Sequence, residues 1–207
     1  MVMRLCRLIL ACALTAIATS AYSASKTILV LGDSLSAEYG IARGAGWVSL
    51  LEKRLKDERI DATVVNASVS GETTSGGKAR LPTLLAQHKP SVVVIELGGN
   101  DGLRGLPLSA AQANLRAMIE VAQKAKAKVL LVGMQIPPNY GRDYTEKFFA
   151  TYNKLSREAN VPLVPFLLQG VAEQPQFFQS DRIHPVAEAP PIMLNNIWPH
   201  LKPLITR

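Results

Sequence analysis

Beyond its first two dozen residues, the chain alternates short β-branched runs with longer segments whose apolar positions recur at helical spacing. "KTILVLG" (26–32) predicts a buried strand. "GWVSLLEKRLKDER" (46–59) sets Trp47, Leu50, Leu51 and Leu55 along one helix face with charges between them. "DATVVNAS" (61–68) predicts a second strand and "GGKARLPTLLAQH" (76–88) a helix. "SVVVIELGGND" (91–101) is a third, strongly apolar strand, followed by a helix over 109–125 opened by Ser109. "KVLLVGM" (128–134), a helix over 143–160, "VPLVPF" (161–166) and a proline-punctuated helix near 190–201 complete the series. Strand and helix in unbroken alternation predict an α/β fold with a parallel sheet of five strands. Near-continuous apolar strands predict a sheet covered on both faces. No linker or compositional shift divides the chain, so residues 25–207 are expected to form a single domain.

The first 24 residues follow another pattern. Arg4 and Arg7 precede an apolar run from Leu8 to about Ile17, and small residues follow. That is a signal-peptide pattern, too short for a convincing membrane span. Cleavage is expected near residues 21–24, with export to the periplasm or the medium. Few apolar residues precede "ILAC" at Cys12, so lipidation is not expected. Both cysteines, Cys6 and Cys12, fall in this leader. Disulfides, thiol catalysis and zinc–thiolate sites are therefore not expected in the mature chain. Arg4 and Arg7 also supply two of the formal +7 charges, leaving +5. The remaining basic residues are scattered rather than striped among aromatics, which argues against nucleic-acid binding.

Open parallel sheets bind ligands at the carboxyl ends of their strands, so candidate chemistry is sought there. The first strand ends in Gly32-Asp33-Ser34, the second runs into "NASVSGET" with Gly71, and the third ends in "GGND" with Asn100. Two readings of each remain open. Ser34 is a helix-capping residue or a nucleophile awaiting a base. Gly71 and Asn100 are turn residues or donors aimed at a developing oxyanion. Of the three histidines, His88 and His200 sit in ordinary helical settings, whereas His184 follows Asp181 by three residues in "SDRIHP". That pair is a surface contact or an acid orienting a base. No G-x-S-x-G elbow, phosphate loop, dinucleotide fingerprint or metal-spaced cluster is present in the sequence.

Taken in order, "LGDSLSAEYG", "VVNASVSGETTSGGKARLP", "ELGGNDGLRGLP", "PPNYGRDY" and "DRIHP" resemble the blocks of the GDSL or SGNH hydrolases over nearly the whole mature chain. Within that family the likeness is to bacterial thioesterases and lysophospholipases and to secreted arylesterases. The resemblance implies a flavodoxin-like three-layer α/β/α sandwich. It implies Ser34 as nucleophile, His184 as base and then acid, Asp181 as its orienting partner, and an oxyanion hole from Ser34, Gly71 and Asn100. It further implies ester and thioester cleavage through an acyl-enzyme without metal or cofactor. The expected partners are small-molecule or lipid acyl esters and, transiently, a membrane surface, with no obligate protein partner. A carbohydrate deacetylase on the same fold and a non-catalytic exported binding protein are the alternatives. The last block departs from the family pattern: Arg182 stands where glycine is usual and Val186 where asparagine is. If that first position needs a positive φ, Arg182 is strained there.

Overall fold

The computed structural model describes residues 25–206; the expected leader, its cleavage site and both cysteines lie outside the described residues. Five strands form one parallel sheet: β1 (Lys26–Gly32), β2 (Ala62–Asn66), β3 (Val92–Glu96), β4 (Lys128–Val132) and β5 (Leu163–Val164). Their order is β2-β1-β3-β4-β5, the flavodoxin-like arrangement whose order reverses between β1 and β3. Every residue of β3 is buried, as its unbroken apolar run predicts, whereas edge strand β2 is half exposed.

Helices α1 (Trp47–Asp57) and α6 (Pro190–Thr206) pack together on one face. On the other lie α2 (Thr74–His88), α4 (Leu108–Lys124) and α5 (Arg142–Ala159), with α4 between its neighbours. The predicted apolar stripe of α1 is the buried one, with Trp47, Val48, Leu51 and Leu55 inside. Leu81, Leu115, Met118, Phe148 and Tyr152 fill the layer under α2, α4 and α5. Removing each such side chain from water contributes roughly 1.5–3 kcal/mol.

Several boundaries differ from the sequence reading. Ser109 does not open α4; the helix starts at Leu108 behind Pro107, whose carbonyl accepts the Ala110 and Ala111 N–H groups. Proline's fixed φ prepares that turn, so a side-chain cap is unnecessary. β5 is two residues long because Pro162 and Pro165 flank it and neither can donate to a ladder. The segment after Gly32 is a run of turns, and the next helix begins only at Trp47. "GGND" is not a strand end but part of a short helix, α3 (Gly99–Leu103). α3 therefore begins beside the β1–β3 reversal, the place where this sheet topology leaves a crevice.

Candidate active site

Ser34 stands at the carboxyl end of β1. Its hydroxyl lies 3.0 Å from His184 Nε2, and His184 Nδ1 lies 2.6 Å from Asp181 Oδ2. The other oxygen of Asp181 accepts the N–H groups of Ile183 and His184 at 2.9 and 3.0 Å. The His184 N–H is the largest influence holding the Asp181 carboxyl down, to about 2, with the imidazole and the Ile183 N–H adding to it. A carboxylate so fixed selects the tautomer with hydrogen on Nδ1 and leaves Nε2 facing the serine. Ser34 caps no helix, which removes one of its two readings.

The remaining candidates are Asn100 and Gly71. Asn100, in α3, lines the same cavity as Ser34 and His184. Gly71 has φ 78°, a left-handed conformation that glycine adopts at little cost. Neither the Ser34 nor the Gly71 N–H is donated to an acceptor among the described residues. The Asn100 amide differs: Nδ2 donates to Asp33 Oδ2 at 3.1 Å and to the Glu72 carbonyl at 3.0 Å. To serve a ligand it must share or release one of those hydrogens. His88 ends α2 and His200 lies within α6, and neither joins this group.

Two sets of contacts position these parts. Asp101 accepts from the Thr74 N–H and hydroxyl at 2.9 and 2.6 Å, tying α3 to the start of α2. Arg104 donates to the Gly71 carbonyl at 3.0 Å and reaches Asn100 Oδ1 at 3.4 Å. Together they hold the Gly71 and Asn100 segments as one unit. On the His184 side, Gln179 Nε2 donates to the carbonyls of Tyr39 and Pro185, both at 3.0 Å. That clamps the histidine loop to the turns that follow Ser34. Tyr39 also lays its ring 4.2 Å from the His184 ring, between centroids.

Beside the Ser34 turn lies a residue the sequence reading missed. Glu96, fully buried, takes the Ser36 hydroxyl at 2.7 Å and the Asp33 N–H at 3.3 Å on Oε2; Trp47 Nε1 donates to the same Ser36 oxygen at 3.1 Å. Its Oε1 has no partner among the described residues. A Cβ on Gly32 would stand 2.6 Å from Glu96 Oε2 and 2.7 Å from Ser36 Oγ, so only glycine fits there. Burial, reinforced by the neighbouring charge of Asp33, pushes the Glu96 carboxyl well above the ordinary range. Burial likewise raises Asp33 to about 6, against the opposing Leu35 N–H, His184 and Asn100. The sequence did carry a signal: an acid closing an otherwise wholly apolar strand. Gln179 and Arg104 gave none, because the carbonyls they tie to the site, those of Tyr39 and Gly71, lie far away in sequence.

Ser34, Asn100 and His184 open into a cavity of about 510 Å³, walled by Leu103, Ile136, Pro137, Phe166 and Leu168 among others. No three metal-ligating side chains converge among the described residues. The site thus combines a serine in line with a base and an acid, two unengaged N–H groups, and an apolar hollow.

Comparison with known proteins gives concordant relatives. Residues 30–189 match the profile of the GDSL-like lipase/acylhydrolase family. The chain is 52% identical over 183 residues to Esterase TesA of Pseudomonas aeruginosa, covering 88% of this chain and 91% of that one. It is 44% identical over 183 residues to Thioesterase 1/protease 1/lysophospholipase L1 of Escherichia coli strain K12, covering 88% and 86%. A crystal structure of TesA matches with a TM-score of 0.85 at 53% identity, covering 86% of this chain and 99% of the other.

Two outcomes follow from this geometry. Arg182 has φ 58°, a left-handed conformation costing a side-chain-bearing residue about 1 kcal/mol. Arg182→Gly is expected to raise unfolding free energy by about that amount in urea titrations. Glu96→Gln keeps an acceptor for Ser36 and Asp33 but cannot ionise. The folded-state value of Glu96 lies above its ordinary 4.5. Its contribution is therefore complete below that value and is lost as pH rises through the raised one. The stability of Glu96→Gln relative to wild type should grow as pH rises above the ordinary carboxylate range; a constant difference would contradict a buried titrating carboxyl.

Proposed function

The chain belongs to the GDSL-like lipase/acylhydrolase family, making it an acyl-ester hydrolase by kinship, and we propose that it works through an acyl-enzyme formed on Ser34. The observation that carries this reading is the alignment of Ser34 Oγ, His184 and Asp181 at 3.0 and 2.6 Å beside the unengaged Ser34 and Gly71 N–H groups. Ser34 Oγ attacks the acyl carbonyl while its proton passes to His184 Nε2. Asp181 holds the ring and stabilises the imidazolium that forms. Negative charge gathers on the former carbonyl oxygen, where the N–H groups of Ser34 and Gly71 and the Asn100 amide donate. Preorganised donors of this kind contribute on the order of 3 kcal/mol each. His184 then returns its proton to the departing alcohol or thiol. Water repeats the sequence on the acyl-enzyme and frees the acid.

The substrate proposed is an ester or thioester with an apolar acyl group. The hollow beside Ser34 is walled by aliphatic and aromatic side chains, which suits a hydrocarbon chain better than a sugar ring. Residues 1–24 are proposed to be an export leader and 25–207 the mature hydrolase domain, on the basic start and apolar run of the sequence. Coenzyme A thioesters are cytoplasmic, so for an exported enzyme lysophospholipids and small aryl or fatty-acyl esters are the proposed substrates. Among the described residues no helix is long and apolar enough to cross a membrane.

Purified wild type and Ser34→Ala, assayed on p-nitrophenyl esters of graded chain length, palmitoyl-CoA and lysophosphatidylcholine, test the reading. Ser34→Ala is expected to lose at least about a thousandfold in kcat; undiminished turnover would remove Ser34 from the mechanism.

A further inference from the structure

The described residues include five exposed large apolar side chains, Tyr39, Val69, Leu106, Tyr140 and Ile183. Single exposed apolar residues are ordinary; what stands out is their placement. Tyr39 stacks on His184, and Ile183 lines the cavity. Val69 follows β2, its N–H donating to the Gly32 carbonyl at 3.1 Å. The Tyr140 hydroxyl donates to the carbonyl of Leu103, a cavity residue, and Leu106 follows α3 directly. All five therefore lie in segments at the carboxyl edge of the sheet, the edge at which Ser34 and the cavity stand. The outer surfaces of α1, α2, α4, α5 and α6 carry no exposed side chain of this class.

The same rim carries positive charge. Arg182 lines the cavity, and Arg104 donates to the Gly71 carbonyl. Neither is paired with a carboxylate among the described residues. The acids nearby are largely committed: Asp181 to His184, and Glu38 to the N–H groups of Gly44 and Gly46 and the Ser49 hydroxyl. Glu173 is the unpaired acid on the cavity wall. An apolar ring with unpaired arginines matches the boundary of an anionic lipid layer, where aromatic and aliphatic groups enter the acyl region and guanidinium groups meet phosphates. A protein partner of mixed charge would need no such collection around a catalytic mouth.

We propose that this rim is a docking surface for anionic lipid, seating the cavity mouth against a bilayer or micelle. The proposal rests on the acyl-hydrolase reading only in that a docked mouth admits an acyl chain without exposing it to water; docking itself needs no Ser34 chemistry. Ser34→Ala protein is sedimented with vesicles of phosphatidylglycerol and phosphatidylcholine, and separately with phosphatidylcholine alone. The expected result is salt-sensitive binding to the anionic vesicles. Arg182→Gln should weaken it about fivefold, and Val69→Ser/Leu106→Ser about tenfold. In the Ser34-containing background, Val69→Ser/Leu106→Ser should hydrolyse monomeric p-nitrophenyl acetate at the wild-type rate, which verifies its fold. No binding to anionic vesicles, or binding indifferent to these substitutions, overturns the proposal. So does a lipid-free dimer that the Val69/Leu106 substitutions dissolve, since a second copy would then cover the rim. Failure of the Ser34 mechanism appears in the hydrolysis assay and leaves the vesicle result standing.

Discussion

The turn that presents Ser34 depends on the end of the neighbouring strand. β1 and β3 are paired with Gly32 opposite Glu96, and the Glu96 carboxyl reaches across to take the Asp33 N–H and the Ser36 hydroxyl. Two groups flanking Ser34 are thereby fixed to a fully buried strand. The close approach excludes any side chain at Gly32, and it occurs at the reversal in strand order, where helices depart in opposite directions and leave a crevice. The geometry of the site and the topology of the fold meet at this contact.

Carboxyl groups near one serine are driven in opposite directions by their surroundings. Asp181, partly exposed, accepts two backbone N–H groups and the imidazole, and is held to about 2. Asp33 and Glu96 are buried together, and the cost of desolvating two like charges pushes both upward. Charge is thus held on Asp181 beside the imidazole, while burial works against it at Asp33 and Glu96. Asp33 meanwhile accepts from Asn100, so the acidic turn that aims the serine also orients the amide on the other side.

The loops form two separately anchored units. Asp101 and Arg104 bind the Gly71 and Asn100 segments together, while Gln179 fixes the His184 loop to the turns after Ser34. Arg182 keeps a left-handed conformation inside that second unit. The surrounding bonds, including Arg182 N–H to the Gln179 carbonyl and Gln179 N–H to the His184 carbonyl, outweigh about 1 kcal/mol of backbone strain. Relatives with glycine at this place would avoid the strain, but would lack a cation beside the cavity.

Periodicity alone determined the alternating α/β order, the parallel sheet and the buried stripe of α1, because 2-residue and 3.6-residue repeats record which faces leave water. The motifs likewise singled out Ser34, Gly71, Asn100, Asp181 and His184, and the unusual Arg182, by residue type at fixed local spacing. Tertiary structure decided what those residues do for one another. It brought Ser34 within 3.0 Å of His184 across 150 positions and turned "GGND" into a helix. It also engaged the Asn100 amide and placed Glu96 against the turn that carries Ser34. Those outcomes depend on contacts between strand ends and loops far apart in the chain, where a carbonyl three ångströms away leaves no trace in the residue type that accepts or donates.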